Sequence, residues 1–424
     1  MNLTASKANR SKITYENTLW ILFVVWPVVS FFFAIKNFHI KQYRKFILLF
    51  GVLYGLTFIP IPYSDGSRYA QWFEETGYYS LSEYIHDITH IYTMEAQSPD
   101  VYKHTLFFIL SKFSDNAQFF HMVTALIYFL VFIKLLASIY DLGQGAWGKY
   151  YLWFFLGCVF ILNLSIGING VRFPLAFMVF ALGAFKLIVT GKNYYLVISL
   201  LSPFIHFMFI YPVIFLLIFH WVPFSRNQTF LLVFLLLSLL AGTFFHTFIQ
   251  NNVGLFGETY ENRFADYTSE AWIEGREKHV TQWNWYVIFR HYGTHYFTLI
   301  AMVLVWFRQK KLHSNIVSKK LFVFAVFMII ASFISGGMVD SISNRYNALA
   351  IIFSLIFLFY IGSLNPESLL LKILSRLYIP VFIINVLVIL RADLYTVSPW
   401  LIFGNPVLMW FLESTVSIQE LIFG

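Results

Sequence analysis

The sequence predicts an all-α fold, a polytopic transmembrane helical bundle of about ten spanning helices, with a broken or re-entrant hairpin and two long external loops. Composition and charge placement carry that prediction. Of 424 residues, 59% are apolar and 12% charged, and the mean hydropathy is +0.68. A soluble core cannot enclose so much apolar surface, so lipid must be the solvent. The formal charge of +8 would suggest a nucleic-acid partner in a soluble protein, but here the cations gather in short loops between apolar runs. That placement is the footprint of membrane orientation and speaks against nucleic acid. The chain reads as one integral membrane domain, 1–424, with external loops at 63–104 and 251–290.

A hydrocarbon core about 30 Å thick needs roughly 20 apolar residues per helix. The spanning candidates, several of them short, are Leu19–Ile35, Phe46–Ile61, Gln118–Ser138, Tyr150–Ile166, Phe173–Thr190, Thr229–Ile249, Tyr292–Phe307, Leu321–Ile334, Tyr346–Ile361 and Leu374–Leu390. Thr105–Phe113 and Trp400–Leu412 are brief apolar stretches suited to an interface. The single cysteine, Cys158, lies inside an apolar run, so no disulfide framework and no thiolate metal site is expected. Lys7, Arg10 and Lys12 precede the first run in the manner of a signal peptide, but no small-residue cleavage site follows, and the segment is read as an anchor.

Orientation follows from lysine and arginine in the short loops, which favour the cytoplasm. Lys36, Lys41, Arg44 and Lys45 share one acid-free loop, and Arg308, Lys310, Lys311, Lys319 and Lys320 share another. The segment Tyr63–His104 instead carries Asp65, Glu74, Glu75, Glu83, Asp87, Glu95 and Asp100 against Arg68 and Lys103, and Asn251–Arg290 is similarly acid-rich. Both long loops are therefore placed outside, which also puts the cationic N-terminus outside, against the same rule. Parity then bears on Tyr194–Phe224, an apolar region broken by Pro203 and Pro212. A single crossing there would put the lysine-rich 308–320 loop outside. A hairpin that enters from the cytoplasm, turns near Ser202–His206 and returns keeps the charges consistent. Irregular backbone survives at membrane depth only where protein buries it or a wet cavity meets it.

With that orientation, three polar segments share the external face: Tyr63–Tyr69, Ile166–Arg172 and Gly336–Arg345. Each contributes an arginine: Arg68, Arg172 and Arg345. A guanidinium is a permanently charged planar fork that grips phosphate or carboxylate through paired hydrogen bonds, and a helix N-terminus adds donors. A pyrophosphate at the membrane surface suits such residues, although arginines at helix ends also snorkel to lipid headgroups. Arg172 stands in a tight setting, Asn169-Gly170-Val171-Arg172-Phe173-Pro174, where the proline fixes the direction of the following helix. Arg345 follows Asp340, Ser343 and Asn344. His206, at the proposed turn, is either a packed core histidine or a proton acceptor. Asp65 and Arg68, three residues apart, are either a helical ion pair or part of the site. Arg290, His291 and His295 read as interfacial. External aromatics such as Trp72, Tyr79, Trp283 and Trp285 suit sugar stacking and the bilayer interface alike.

No phosphate loop, no dinucleotide fingerprint after a strand, no zincin motif and no Asp-x-Asp pair occurs, which disfavours soluble activated substrates. No cofactor is expected, with a divalent cation bridged by loop carboxylates left open. Asp65-x-x-Arg68-Tyr69, Asn169-Gly170-Val171-Arg172-Phe173 and Ile205-His206-Phe207, in this order and spacing, make the chain resemble the EpsG/Wzy-like polysaccharide polymerase family. Phe173-Pro174 departs from it, since the family often has glutamine after the arginine. The resemblance implies a multi-pass enzyme of the bacterial inner membrane, with its active side facing out, that joins repeat units carried on undecaprenyl pyrophosphate. It further implies membrane lipid, and a flippase and chain-length regulator of the same pathway, as partners. On this reading Arg172, Arg345 and Arg68 bind pyrophosphate, His206 or Asp65 takes the acceptor's proton, and Asn169, Tyr69, Asp340 and Asn344 contact substrate. A ligase or other lipid-linked-sugar glycosyltransferase would need much the same residues. A flippase would be expected to show inverted repeats and ionisable residues nearer the midplane, and a non-catalytic assembly subunit would have no essential arginine.

The orientation is testable by accessibility. Single cysteines placed at 80 and 270 are expected to react with a membrane-impermeant thiol reagent in intact spheroplasts, and cysteines at 40 and 315 only after permeabilisation; the reverse pattern would invert the topology.

Overall fold

The computed structural model describes residues 16–91, 100–143, 149–161, 164–222, 233, 237–238, 283–309, 314–336, 340–412 and 415–423, without the side chains of 161–166, 291 and 336–344. Helix dominates, and among the described residues there is no β-strand beyond an isolated antiparallel bridge between Phe58 and Val397. Most of the expected span Thr229–Ile249, most of the loop 251–290 and the N-terminal cations lie outside the described residues.

The first expected span is divided by its proline. The residue before a proline is pushed out of helical conformation, and Trp26 takes φ −151°, ψ 88°. Helix α1 (Glu16–Val25) therefore stops there, and α2 (Pro27–Lys36) restarts. The chain continues through α3 (Arg44–Leu56), α4 (Asp65–Thr76), α5 (Leu81–Thr89), α6 (Val101–Leu110) and α7 (Ala117–Leu142). Then follow α8 (Leu152–Ile161), α9 (Leu164–Asn169) and α10 (Phe173–Thr190). The proline-broken region gives α11 (Tyr194–Leu200), α12 (Ser202–Ile205) and α13 (Ile210–Trp221), with His206 extended between them at φ −150°, ψ 114°. After α14 (Trp285–Ile288) come α15 (Thr294–Arg308), α16 (Ile316–Gly336), α17 (Asp340–Leu364) and α18 (Leu369–Leu394).

Among the described residues, five helices, α7, α10, α16, α17 and α18, are long and apolar enough to cross a membrane. At 1.5 Å per residue, a helix such as α3 covers only about 20 Å, less than a hydrocarbon core. Several of the expected runs are thus shorter or more divided than their hydropathy suggests.

Helices α16 and α17 form the centre, with 72% and 78% of their apolar windows buried, against 33% for the peripheral α18. Trp306 of α15 stacks on Phe322 at 4.2 Å between centroids and helps to seal that centre. Helices α3 and α7 pack closely because Gly51 and Gly55, four residues apart, let the backbones approach. A Cβ at Gly55 would lie 2.5 Å from the Ala125 methyl and 2.6 Å from the His121 carbonyl oxygen. Beside this main core a smaller one forms from Tyr69, Phe73, Tyr79, Leu106, Phe107, Leu110, Phe120 and Val171. It holds α4 and α6 against the end of α7.

Gly55→Val is therefore expected to force α3 from α7 and to cost about 1–3 kcal/mol, read as a lowered thermal midpoint of the purified protein in detergent. An unchanged midpoint would mean that this crossing carries little of the stability.

Candidate functional site

The site is built where the small core meets the main bundle. Ser64 caps α4, its hydroxyl oxygen accepting from the Ser67 amide at 3.4 Å. The same hydroxyl donates to Asn169 Oδ1 at 2.7 Å, and the Gly66 amide donates to that oxygen at 3.2 Å. Asn169, the last residue of α9, thus seats the N-terminus of α4. Gly66 is needed there because a Cβ would lie 2.5 Å from Asn169 Oδ1. On the first turn of α4, Asp65 and Arg68 pair with each other, and both side chains are about half exposed.

Arg172 follows a strained residue. Val171 has φ +46°, a left-handed conformation foreign to a β-branched side chain, and is buried. Such a conformation costs on the order of 1–3 kcal/mol and persists only where its surroundings impose it. Here the Val171 amide donates to the Ile168 carbonyl at 3.3 Å, the Arg172 amide turns back to the Gly170 carbonyl, and Pro174 opens α10. The turn aims the Arg172 guanidinium at Asp100, with which it forms an ion pair. The guanidinium carbon also lies 5.0 Å from the centre of the buried Tyr69 ring.

Asp100 is the junction. Its carboxylate is fully buried, one oxygen bound to Arg172 and the other accepting from the Phe207 amide at 2.8 Å. That amide is free of helical partners because the chain breaks at His206. The break is held from a third side as well, since the Tyr346 hydroxyl donates to the Met208 carbonyl at 2.7 Å while its ring packs 5.1 Å from Tyr211. Arg345, next in the chain to Tyr346, rests its guanidinium 4.8 Å above the Phe173 ring. Phe173 in turn meets the His206 ring edge to face at 5.6 Å. His206 Nδ1 accepts from the Met208 amide at 3.4 Å, which leaves the proton of a neutral ring on Nε2.

Tyr69, Arg172, His206 and Arg345, spread over nearly 280 positions of sequence, are thus brought together, with Arg172 and Arg345 both in electrostatic reach of His206. Asn169 joins them through α4, and Asp65 and Arg68 lie on the adjacent turn. Asp340 and Asn344 fall on the first turns of α17, with side chains outside the described residues. Three participants were not singled out from sequence: Asp100, Lys103 and Phe173. Lys103 is 1% exposed, its amine 5.0 Å from the Trp72 ring centre and 5.7 Å from that of Phe107. Burial pushes its pKa down to about 8, helped by Arg172 and opposed by Asp87 and Asp100. Burial likewise pushes Tyr69 up to about 12, with Arg172 acting against it, so the phenol stays neutral at physiological pH. Next to Lys103 on α6, His104 pairs with Asp87 at 3.0 Å. Among the described residues, no three histidine, cysteine, aspartate or glutamate side chains are grouped to hold a metal.

The EpsG family model matches residues 40–399, a stretch that contains every residue of this site. The chain belongs to the EpsG family. No curated protein and no solved structure matches it. Membership suggests a polysaccharide polymerase and a multi-pass membrane protein. Within this EpsG-family chain the cations of the site are not equivalent. Arg172 is compensated by a buried carboxylate, whereas Arg345 rests on an aromatic face and forms no ion pair among the described residues. Removing one partner of a buried pair strands the other charge in a poor solvent.

Asp100→Asn and Arg172→Ala are each expected to destabilise the protein by roughly 3 kcal/mol, with the double variant much less than additive. A thermal-unfolding double-mutant cycle measures this coupling; additive losses would mean that the pair is not a unit.

Proposed function

We propose that this EpsG-family protein polymerises surface polysaccharide, joining oligosaccharide repeat units carried on undecaprenyl pyrophosphate at the outer face of the bacterial inner membrane. The observation that carries the reading is the meeting of Arg172, Arg345 and His206 at the break in the apolar, proline-broken region. Hydropathy and loop charge favour a re-entrant hairpin for that break, with its polar turn opening outward.

The reaction needs little covalent machinery, because the lipid pyrophosphate is already a good leaving group. An acceptor-sugar hydroxyl attacks the anomeric carbon of the donor glycan, the bond from that carbon to the pyrophosphate oxygen breaks, and undecaprenyl pyrophosphate departs with the bonding electrons. Arg345 neutralises the charge that develops on the leaving group, in surroundings too dry for bulk water to do so. Arg172, held by Asp100, fixes the position of the second phosphate. His206, with Nδ1 engaged by the Met208 amide, offers its Nε2 proton as a hydrogen-bond donor to a phosphate oxygen. That leaves Asp65, half exposed at the start of α4, to take the proton of the acceptor hydroxyl. Trp72, half-buried on α4, offers an aromatic face for the sugar, while the buried Tyr69 ring backs Arg172 rather than meeting the glycan as expected from sequence, and Asp340 and Asn344 contact the glycan from α17. The exclusion of soluble-donor motifs supports a lipid-linked substrate.

Arg345→Gln is expected to reach the membrane at normal abundance and to abolish long chains, leaving single repeat units, as read from the length distribution of surface polysaccharide. Normal chain lengths at normal abundance would remove Arg345 from the site and refute the reading. A finished glycan that accumulates on its lipid, with polymer length intact, would instead identify a ligase.

A further inference from the structure

Lys103 stands out from every other described charge in the protein. A lysine is almost never fully buried without a carboxylate in contact, yet this one is 1% exposed and has no ion pair among the described residues. Its surroundings are aromatic, Trp72 on α4 and Phe107 on its own helix. Nearby, the Asp100 carboxylate is already spent on the Arg172 guanidinium and the Phe207 amide. Asp100 cancels one of the two positive charges, and Asp87, the other carboxylate in electrostatic reach of Lys103, is paired with His104 at 3.0 Å. The Arg172 and Asp100 pair alone would be neutral and would hold an anion poorly; with a protonated Lys103 behind it, the trio is cationic.

We propose that Lys103 is a buried positioning charge that makes the Arg172 and Asp100 pair an anion site, acting through the pair without touching the ligand. Its enclosure suits that role, because an amine with so little exposure cannot be reached directly but its field is little screened. The ligand is an isoprenoid-linked pyrophosphate, an identification that rests on the function proposed above. The same phosphate chemistry occurs in phospholipid headgroups, and the two sources separate experimentally.

The charged and titratable groups around Lys103 are Arg172 from the turn before α10, Asp100 and His104 on its own segment, Asp87 from α5 and Tyr69 from α4. Burial brings the Lys103 amine close to pKa 8 in the free protein. An anion favours the protonated form and so raises that pKa on binding. The sign follows: affinity is full below about pH 8 and falls with rising pH until the higher, bound-state pKa is reached. A phosphate group has lost its last proton by then, so the ligand's own charge is constant in this range.

The test uses the full-length protein in detergent and farnesyl pyrophosphate as probe, with affinity followed from pH 7 to 9.5. Wild type is expected to lose on the order of tenfold in affinity across that range. Lys103→Met, which retains the packing against Trp72 and Phe107, is expected to bind about tenfold more weakly at pH 7 and to show no such slope. Lys103→Arg is the decisive variant, since it keeps the charge, removes the lysine titration and leaves that of every neighbour in place. It is expected to bind as wild type does at pH 7 and to hold that affinity at pH 9.5. A flat wild-type profile needs no variant to fold and would overturn the proposal, as would wild-type affinity in Lys103→Met. Displacement of the probe by an excess of phosphatidylglycerol would overturn the assignment to a pyrophosphate. No binding by wild type would overturn the pyrophosphate reading of the site itself, a result distinct from binding that ignores Lys103.

Discussion

One buried carboxylate holds the site together. Asp100 bonds Arg172 on one side and the Phe207 amide on the other, so the turn before α10, the start of α6 and the break after α12 are pinned at a single point. Two of these segments, the turn and the break, are locally unfavourable. Val171 is left-handed, His206 interrupts a helical run, and Phe207 presents an amide with no helical acceptor. A buried amide without an acceptor costs roughly 1–3 kcal/mol, and a charge left alone in the same place costs more. Asp100 satisfies both at once, which is why the irregular backbone can persist in an apolar interior.

The site shows two ways of placing positive charge near a membrane. Arg172 is compensated and rigid, fixed by a partner that cannot move without exposing a carboxylate. Arg345 has no ion pair among the described residues and rests on the Phe173 ring, where the quadrupole of an aromatic face steadies a cation without cancelling its charge. Tyr346 then fixes the register of α17 against the broken segment. Geometry is thus supplied by the paired arginine and net charge by the others, a division that a single exposed arginine at a helix end could not achieve.

Much of this was legible in the sequence where a residue disturbs a local pattern. Pro174 after Arg172, and Pro203 with His206 inside an apolar run, mark a helix start and a break by backbone chemistry, and both are found where those residues stand. The partners of the site were not legible in the same way. Asp100 was one acid among several in a polar loop, and nothing local distinguishes the one that folds onto a guanidinium 72 residues away. Phe173 stood out only as a departure from glutamine, although it is the surface on which Arg345 and His206 meet. Asn169, expected to contact substrate, has its amide oxygen engaged by Ser64 and Gly66. Helix lengths were blurred for a related reason: hydropathy registers apolar side chains and overlooks a backbone break such as that at Trp26 and Pro27.

The turn that carries Arg172 also lies on a seam. Ile168 belongs to the main core of the bundle, whereas Val171, three residues on, belongs to the small aromatic core under α4 and α6. The two packed bodies are therefore sewn together through the most strained stretch of backbone in the site. If the small layer rocks against the bundle, the displacement passes through Val171 as well as through α7, which carries Phe120 in one core and Ala125 in the other, and Arg172 is the next residue after Val171. A load borne by α4 and α6 would in this way reach the Arg172 and Asp100 pair through the backbone itself, with no separate element to carry it.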